Sequence, residues 1–138
     1  MNGGGRIMTK KLISLITICY ILIFAGCGSN VGTKPDNVSS IHYTAGTKAI
    51  EIIDDFLDMN ITLEEAESKL KEVEGRLPGD SKGDNLYIES DISILQSELA
   101  ILGYSTDFDK DSVSKDTKDI VKTRNDLAEL VNEESRED

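Results

Sequence analysis

NITLEEAESKLKEVEGRL, residues 60–77, is the stretch that decides the fold. Leu63, Ala66, Leu70, Val73 and Leu77 recur at spacings of 3, 4, 3 and 4, which puts them on one face of a helix. The start of that helix is marked locally. Thr62 is followed three residues later by Glu65, the form of a capping box, in which hydroxyl and carboxylate satisfy each other's backbone donors. Ile61 before the cap and Ala66 after it suit a small hydrophobic staple. Pro78 cannot continue a helix, so the pattern ends at Leu77.

Upstream, Ala49, Ile50, Ile53, Phe56 and Leu57 make a second helical stripe over about residues 47–59, with Glu51, Asp54, Asp55 and Asp58 facing away. Asn60 is the expected stop, because Asn tolerates the left-handed backbone after a helix. Only Asn60 and Ile61 separate the two helices, so they form a hairpin. Leu57 to Leu70 resembles the short helical hairpins of bacterial oligomerisation modules, a likeness that carries no functional residue with it.

Downstream, a third helix spans about residues 85–102, with Gly103 as its cap. Ile88, Ile92, Leu95, Leu99 and Leu102 form its main seam; Tyr87, Ile94 and Ile101 form a second stripe at a spacing of seven. Two apolar faces imply a central helix packed on both sides. A fourth, more charged helix covers about residues 113–131 through Val113, Ile120, Val121, Leu127, Leu130 and Val131. No stretch alternates with period two between turn residues. The fold expected is all-α, a small three- or four-helix bundle over residues 44–133, with residues 134–138 a frayed tail.

The N-terminal part reads differently. Lys10 and Lys11 precede an apolar run, LISLITICYILIF (12–24), and then Ala25, Gly26 and Cys27. The run is shorter than the roughly 20 residues a spanning helix needs and has the length of a signal-peptide core. Phe24-Ala25-Gly26-Cys27 resembles the lipobox of bacterial lipoproteins, with Phe24 where Leu is commonest. The resemblance implies that residues 1–26 are a signal peptide and that Cys27 receives diacylglycerol and becomes the first mature residue. It places the domain on the extracytoplasmic face of the cell membrane, held by covalent lipid. Met8-Thr9-Lys10-Lys11 is the more typical start for such a signal, so residues 1–7 need not be translated. Residues 27–43 are rich in Gly, Ser and Asn and read as the lipidated Cys and a flexible tether. His42, the only His, has no partner in the local sequence and reads as solvated.

Composition narrows the function. The 138 residues carry 15 Lys and Arg against 26 Asp and Glu, a net charge of −11. Loss of Arg6, Lys10 and Lys11 with the signal would take this to −14. Such a chain lacks the basic face that nucleic-acid binding needs. The mature chain would retain no free thiol, since Cys19 leaves and Cys27 is acylated. No nucleophile elbow, phosphate-cradling Gly loop or His cluster is present, and the chain is expected not to be an enzyme. Asp107, Asp109 and Asp111 open like a calcium loop, but Ser112 and Lys118 stand where an EF-hand needs Gly and Glu. The usual role for that stretch is a solvated loop whose Asp111 or Ser112 caps the fourth helix; the alternative is a small-ligand or weak calcium-binding surface module that uses the 107–111 loop. No other cofactor is implied. The expected function is a non-enzymatic interaction module that binds another protein or itself by burying an apolar stripe, with Tyr87, Ile94 and Ile101 as its residues.

Overall fold

The computed structural model describes residues 32–105 and 110–137, the side chains of 110–112 excepted. Among the described residues four helices follow one another up and down: α1 (Ser40–Leu57), α2 (Leu63–Glu74), α3 (Asp84–Ser105) and α4 (Lys110–Leu130). The fold is an all-α four-helix bundle, and the described residues include no strand. Each helix packs on its neighbours in sequence, and α4 returns to α1. α1 and α3 also meet across the middle, so this diagonal is the short one. Ile53, Leu70, Ile88, Ile92, Leu95, Leu99, Ile120 and Leu127 are fully enclosed in the core between them.

The hairpin forms as its signals dictate. Glu65 N–H donates to the Thr62 hydroxyl at 3.2 Å, and Thr62 N–H donates back to the Glu65 carboxylate at 2.8 Å. The left-handed residue after α1 is Met59, at φ 60°, rather than Asn60. Asn60 and Ile61 instead turn their N–H groups onto the Asp55 carbonyl. α2 stops at Glu74, with Gly75 as its cap, three residues before Pro78 is reached. Gly103 does not cap α3. It lies inside the helix, where an added methyl would come within 3.2 Å of Leu63, so its lack of a side chain admits the start of α2.

Both ends of the bundle are more ordered than composition implies. α1 begins at Ser40, and Ser39 caps it by accepting the His42 N–H. Val38 and His42 are buried, so of the segment read as tether residues 40–43 are the first turn of α1 and residues 32–39 are a strap packed on the domain. Its first described residue, Gly32, donates to the Glu133 carboxylate at 3.1 Å and accepts from the Tyr43 hydroxyl. Asn132 returns a bond to the Thr33 carbonyl at 3.0 Å. The tail read as frayed folds back along α1 and α4: Arg136 pairs with Asp54 and Asp58, and exchanges backbone bonds with the Asn125 amide.

Candidate functional site

The two stripes of α3 part company in the folded chain. Ile88, Ile92, Leu95, Leu99 and Leu102 are at most 5% exposed and supply the centre of the core. Tyr87, Ile94 and Ile101 point the other way and are 59%, 42% and 53% exposed. The helix is therefore packed on one side only, and its second apolar stripe lies open. Leu86 and Tyr104 extend it at either end, 49% and 76% exposed. The residues between are small and uncharged: Ser90, Ser93 and Ser97 are exposed, and Ala100 is half-buried. At 100° per residue these positions cover about 140° of the helix, opposite the core, with no charged side chain. In a chain that is 30% charged, such a face is unusual.

Acidic residues border this face on one side. Burial and the neighbouring Asp126 push the Asp91 carboxyl up to about 6, against a smaller opposing pull from Lys122. Burial also raises Glu98, whose Oε1 accepts from the Thr123 hydroxyl at 2.9 Å while its Oε2 is enclosed without a partner. Nearer the start of α3 a cleft of about 530 Å³ lies between α3, α4 and the strap, and Asp84, Asp91, Asp126 and Glu129 line it. A second, apolar groove of about 400 Å³ runs between α1 and the end of α2, floored by Ala45, Val73 and Leu77 and rimmed by Lys48 and Arg76.

His42 is the site that local sequence did not disclose. It is 3% exposed and lies among Ser39, Ser81 and Glu89. Its Nδ1 is 2.6 Å from the Ser39 hydroxyl; its Nε2 is 2.9 Å from Glu89 and 2.8 Å from the Ser81 hydroxyl. Ser81 also donates to Glu89 at 2.6 Å, as does the Gly79 N–H at 3.3 Å. Burial works to raise the Glu89 carboxyl, but the donors Ser81, His42 and Gly79 outweigh it and hold the group below its ordinary value. An ionised Glu89 only accepts, so the proton on Nε2 points at it and Nδ1 is left to Ser39. Hydroxyl, imidazole and carboxylate thus stand in line, but the hydroxyl caps a helix and the ring is enclosed. The group ties the start of α1, the 75–83 loop and α3 together. Ser39 is three residues from His42, but Ser81 and Glu89, which hold its Nε2, lie 39 and 47 residues away, beyond the reach of any local pattern.

Cys27, Asp107 and Asp109 lie outside the described residues. Asp111 and Ser112 fall within the first turn of α4, which begins at Lys110, and so are not its cap. Among the described residues no group of three or more His, Cys, Asp or Glu side chains is arranged to hold a metal ion, and no helix is long and apolar enough to cross a membrane. The chain matches no protein-family model, and comparison with curated proteins and with solved structures likewise gives no match.

Proposed function

We propose that this protein is a lipoprotein anchored through Cys27 to the extracytoplasmic face of the cell membrane, and that its helical domain is a non-enzymatic protein-interaction module. The observation that carries the second half is the open, uncharged face of α3 built on Tyr87, Ile94 and Ile101. Burying large apolar side chains yields roughly 1.5–3 kcal/mol each, and a face without charge has no ionic desolvation cost to offset it. The first half rests on the run from Lys10 to Cys27. Two acyl chains suffice for stable anchoring. Four residues separate Cys27 from Gly32, the first described residue, so the two Cα atoms are at most about 18 Å apart. The module thus works close to the membrane rather than at the end of a long leash.

Two measurements test the two halves. Metabolic labelling with a palmitate analogue should mark the wild-type chain and leave Cys27→Ser unmarked; equal labelling would refute the anchor. A photo-crosslinking residue in place of Ile94 should form a defined protein adduct in native membranes, and one in place of Glu51, on the exposed side of α1, should not.

A further inference from the structure

We infer that the partner of the α3 face is a second copy of this chain, paired in parallel so that both domains stand on the same membrane. This rests on the interaction reading above and adds to it both the identity of the partner and the orientation of pairing.

The open face has the repeat of a two-stranded coiled coil. Tyr87, Ile94 and Ile101 occupy one heptad position, and Ser90, Ser97 and Tyr104 lie three residues after each, giving an alternating seam along the whole of α3. All six are exposed, and the seam lies opposite the buried one. Self-pairing explains why it is uncharged. The chain carries −11, and a symmetric contact sets like surfaces near like surfaces, so an acidic protein can meet itself cheaply only where it carries no charge. A basic partner would instead be drawn to the carboxylate-lined cleft beside it.

Orientation follows from the flanking positions. On one flank stand Leu86, Ser93 and Ala100; on the other, Asp91, Glu98 and Ser105. In a parallel pair each flank meets the opposite flank of its partner five residues on, so Leu86 faces Asp91, Ser93 faces Glu98 and Ala100 faces Ser105. In an antiparallel pair each flank meets its own kind, and Asp91 faces Glu98, two acids together. The anchor points the same way. Ser39 N–H donates to Asn85 at 2.9 Å and Asn37 bonds Asp84, so the strap enters at the end of the bundle where α3 starts. An antiparallel pair would set the two entry points at opposite ends of a 22-residue helix, about 33 Å apart. The five Cα–Cα steps from Cys27 to Gly32 span about half of that. Parallel pairing brings both entry points to one side. Serines in the seam make the contact weak in solution, and confinement to a membrane supplies the effective concentration it needs.

The test uses the full chain carrying Cys19→Ser, with Cys27 intact and the protein oxidised in its native membranes, where an acylated Cys27 leaves the introduced thiol as the only free one. Mild oxidation should convert most of the Ser90→Cys and Ser97→Cys proteins to disulfide-linked dimers, and Glu51→Cys to none. Linkage of Ser90→Cys only when mixed with Ile101→Cys would overturn the parallel arrangement, because those two positions face each other in the antiparallel pair. Linkage at Glu51→Cys as strong as at Ser90→Cys would overturn it too, as non-specific association. Absence of any linkage, with the Ile94 photo-adduct formed to a different protein, would overturn self-pairing and leave the interaction module standing. Absence of both would overturn the two together.

Discussion

Arg124 of α4 grips Asp54 of α1 with two parallel hydrogen bonds, Nε to Oδ1 at 3.0 Å and Nη2 to Oδ2 at 2.6 Å. Arg124 is 6% exposed, and its remaining donors reach the Asn125 side chain and the Glu134 carbonyl. One guanidinium therefore joins the first helix, the last helix and the C-terminal tail. Removing Asp54 strands a buried cation. Asp54→Ala is expected to cost about 3 kcal/mol. Arg124→Met, which removes the charge and keeps the bulk, should cost clearly less. Urea unfolding of both variants checks the order, and equal losses would contradict it.

The two faces of α3 predict opposite responses to the same kind of truncation. Leu99→Ala, at a fully buried site, should cost about 2–5 kcal/mol. Ile101→Ala, two residues on and 53% exposed, should stay within about 0.5 kcal/mol in the monomer. Denaturant titration at low protein concentration distinguishes them.

Met59 holds a left-handed backbone at φ 60° while its side chain is 90% exposed. The conformation costs an ordinary residue about 1 kcal/mol and glycine nothing. Met59→Gly should stabilise the domain by a net of about 0.5 kcal/mol, after the greater unfolded-state entropy of glycine, and so raise its thermal midpoint. A lower midpoint would show that the turn depends on the methionine.

Stability should rise as the pH falls from 7.5 towards 5. Asp91 titrates near 6 in the folded state, because burial and Asp126 disfavour its charge, while the unfolded carboxyl stays near 3.8. Between those values the folded chain holds a proton the unfolded chain lacks, so acidification favours folding. Glu98, also raised, acts in the same direction. Glu89 is depressed, and its contribution is lost only at lower pH, as the solution passes below the unfolded value of 4.5 and through the folded one. Thermal midpoints across pH 4–8 should therefore peak on the acidic side. Asp91→Asn should flatten the slope between pH 7 and 5; an unchanged slope would assign it elsewhere.

Gly46 lies in the middle of α1 against the end of α4, where an added methyl would come within 2.8 Å of a Val131 methyl. Helix propensity favours alanine over glycine by about 1 kcal/mol, but the side chains here have no room to yield. Gly46→Ala should destabilise, and Val131→Ala in the same chain should lessen the penalty. Calorimetry of the single and double variants reads the coupling.

What the sequence made legible was local. The 3–4 spacing of Ile88, Ile92, Leu95 and Leu99 and the Thr62–Glu65 cap each depend on residues within one helix, and each appears where expected. What it hid was distant pairing. Asp54, read as solvent-facing, is 70 residues from Arg124, and His42, read as solvated, is 47 from Glu89. A polar stretch with few apolar residues looked like a tether because the hydrogen bonds of its described part come from Asn85, Glu133 and Asn132, none of them nearby in sequence. Gly103 misled for a related reason: glycine serves both to end a helix and to admit another, and only the position of Leu63 tells which. The openness of Tyr87, Ile94 and Ile101 was written in the spacing of seven, although the spacing alone did not say whether another part of this chain would cover them.

The strap that begins at Gly32 has a mechanical consequence. Tension applied to Gly32 enters at a few hydrogen bonds to Asn132, Glu133 and Tyr43, of which only Tyr43, near the start of α1, belongs to a helix. Under load the strap peels before the core shears. Release of residues 32 to 38 pays out roughly 25 Å of chain, until the pull reaches the Ser39 cap of α1 and the polar knot at His42. With the anchor proposed at Cys27, residues 32–38 would be slack stowed against the surface, length the domain could yield before its helices give way.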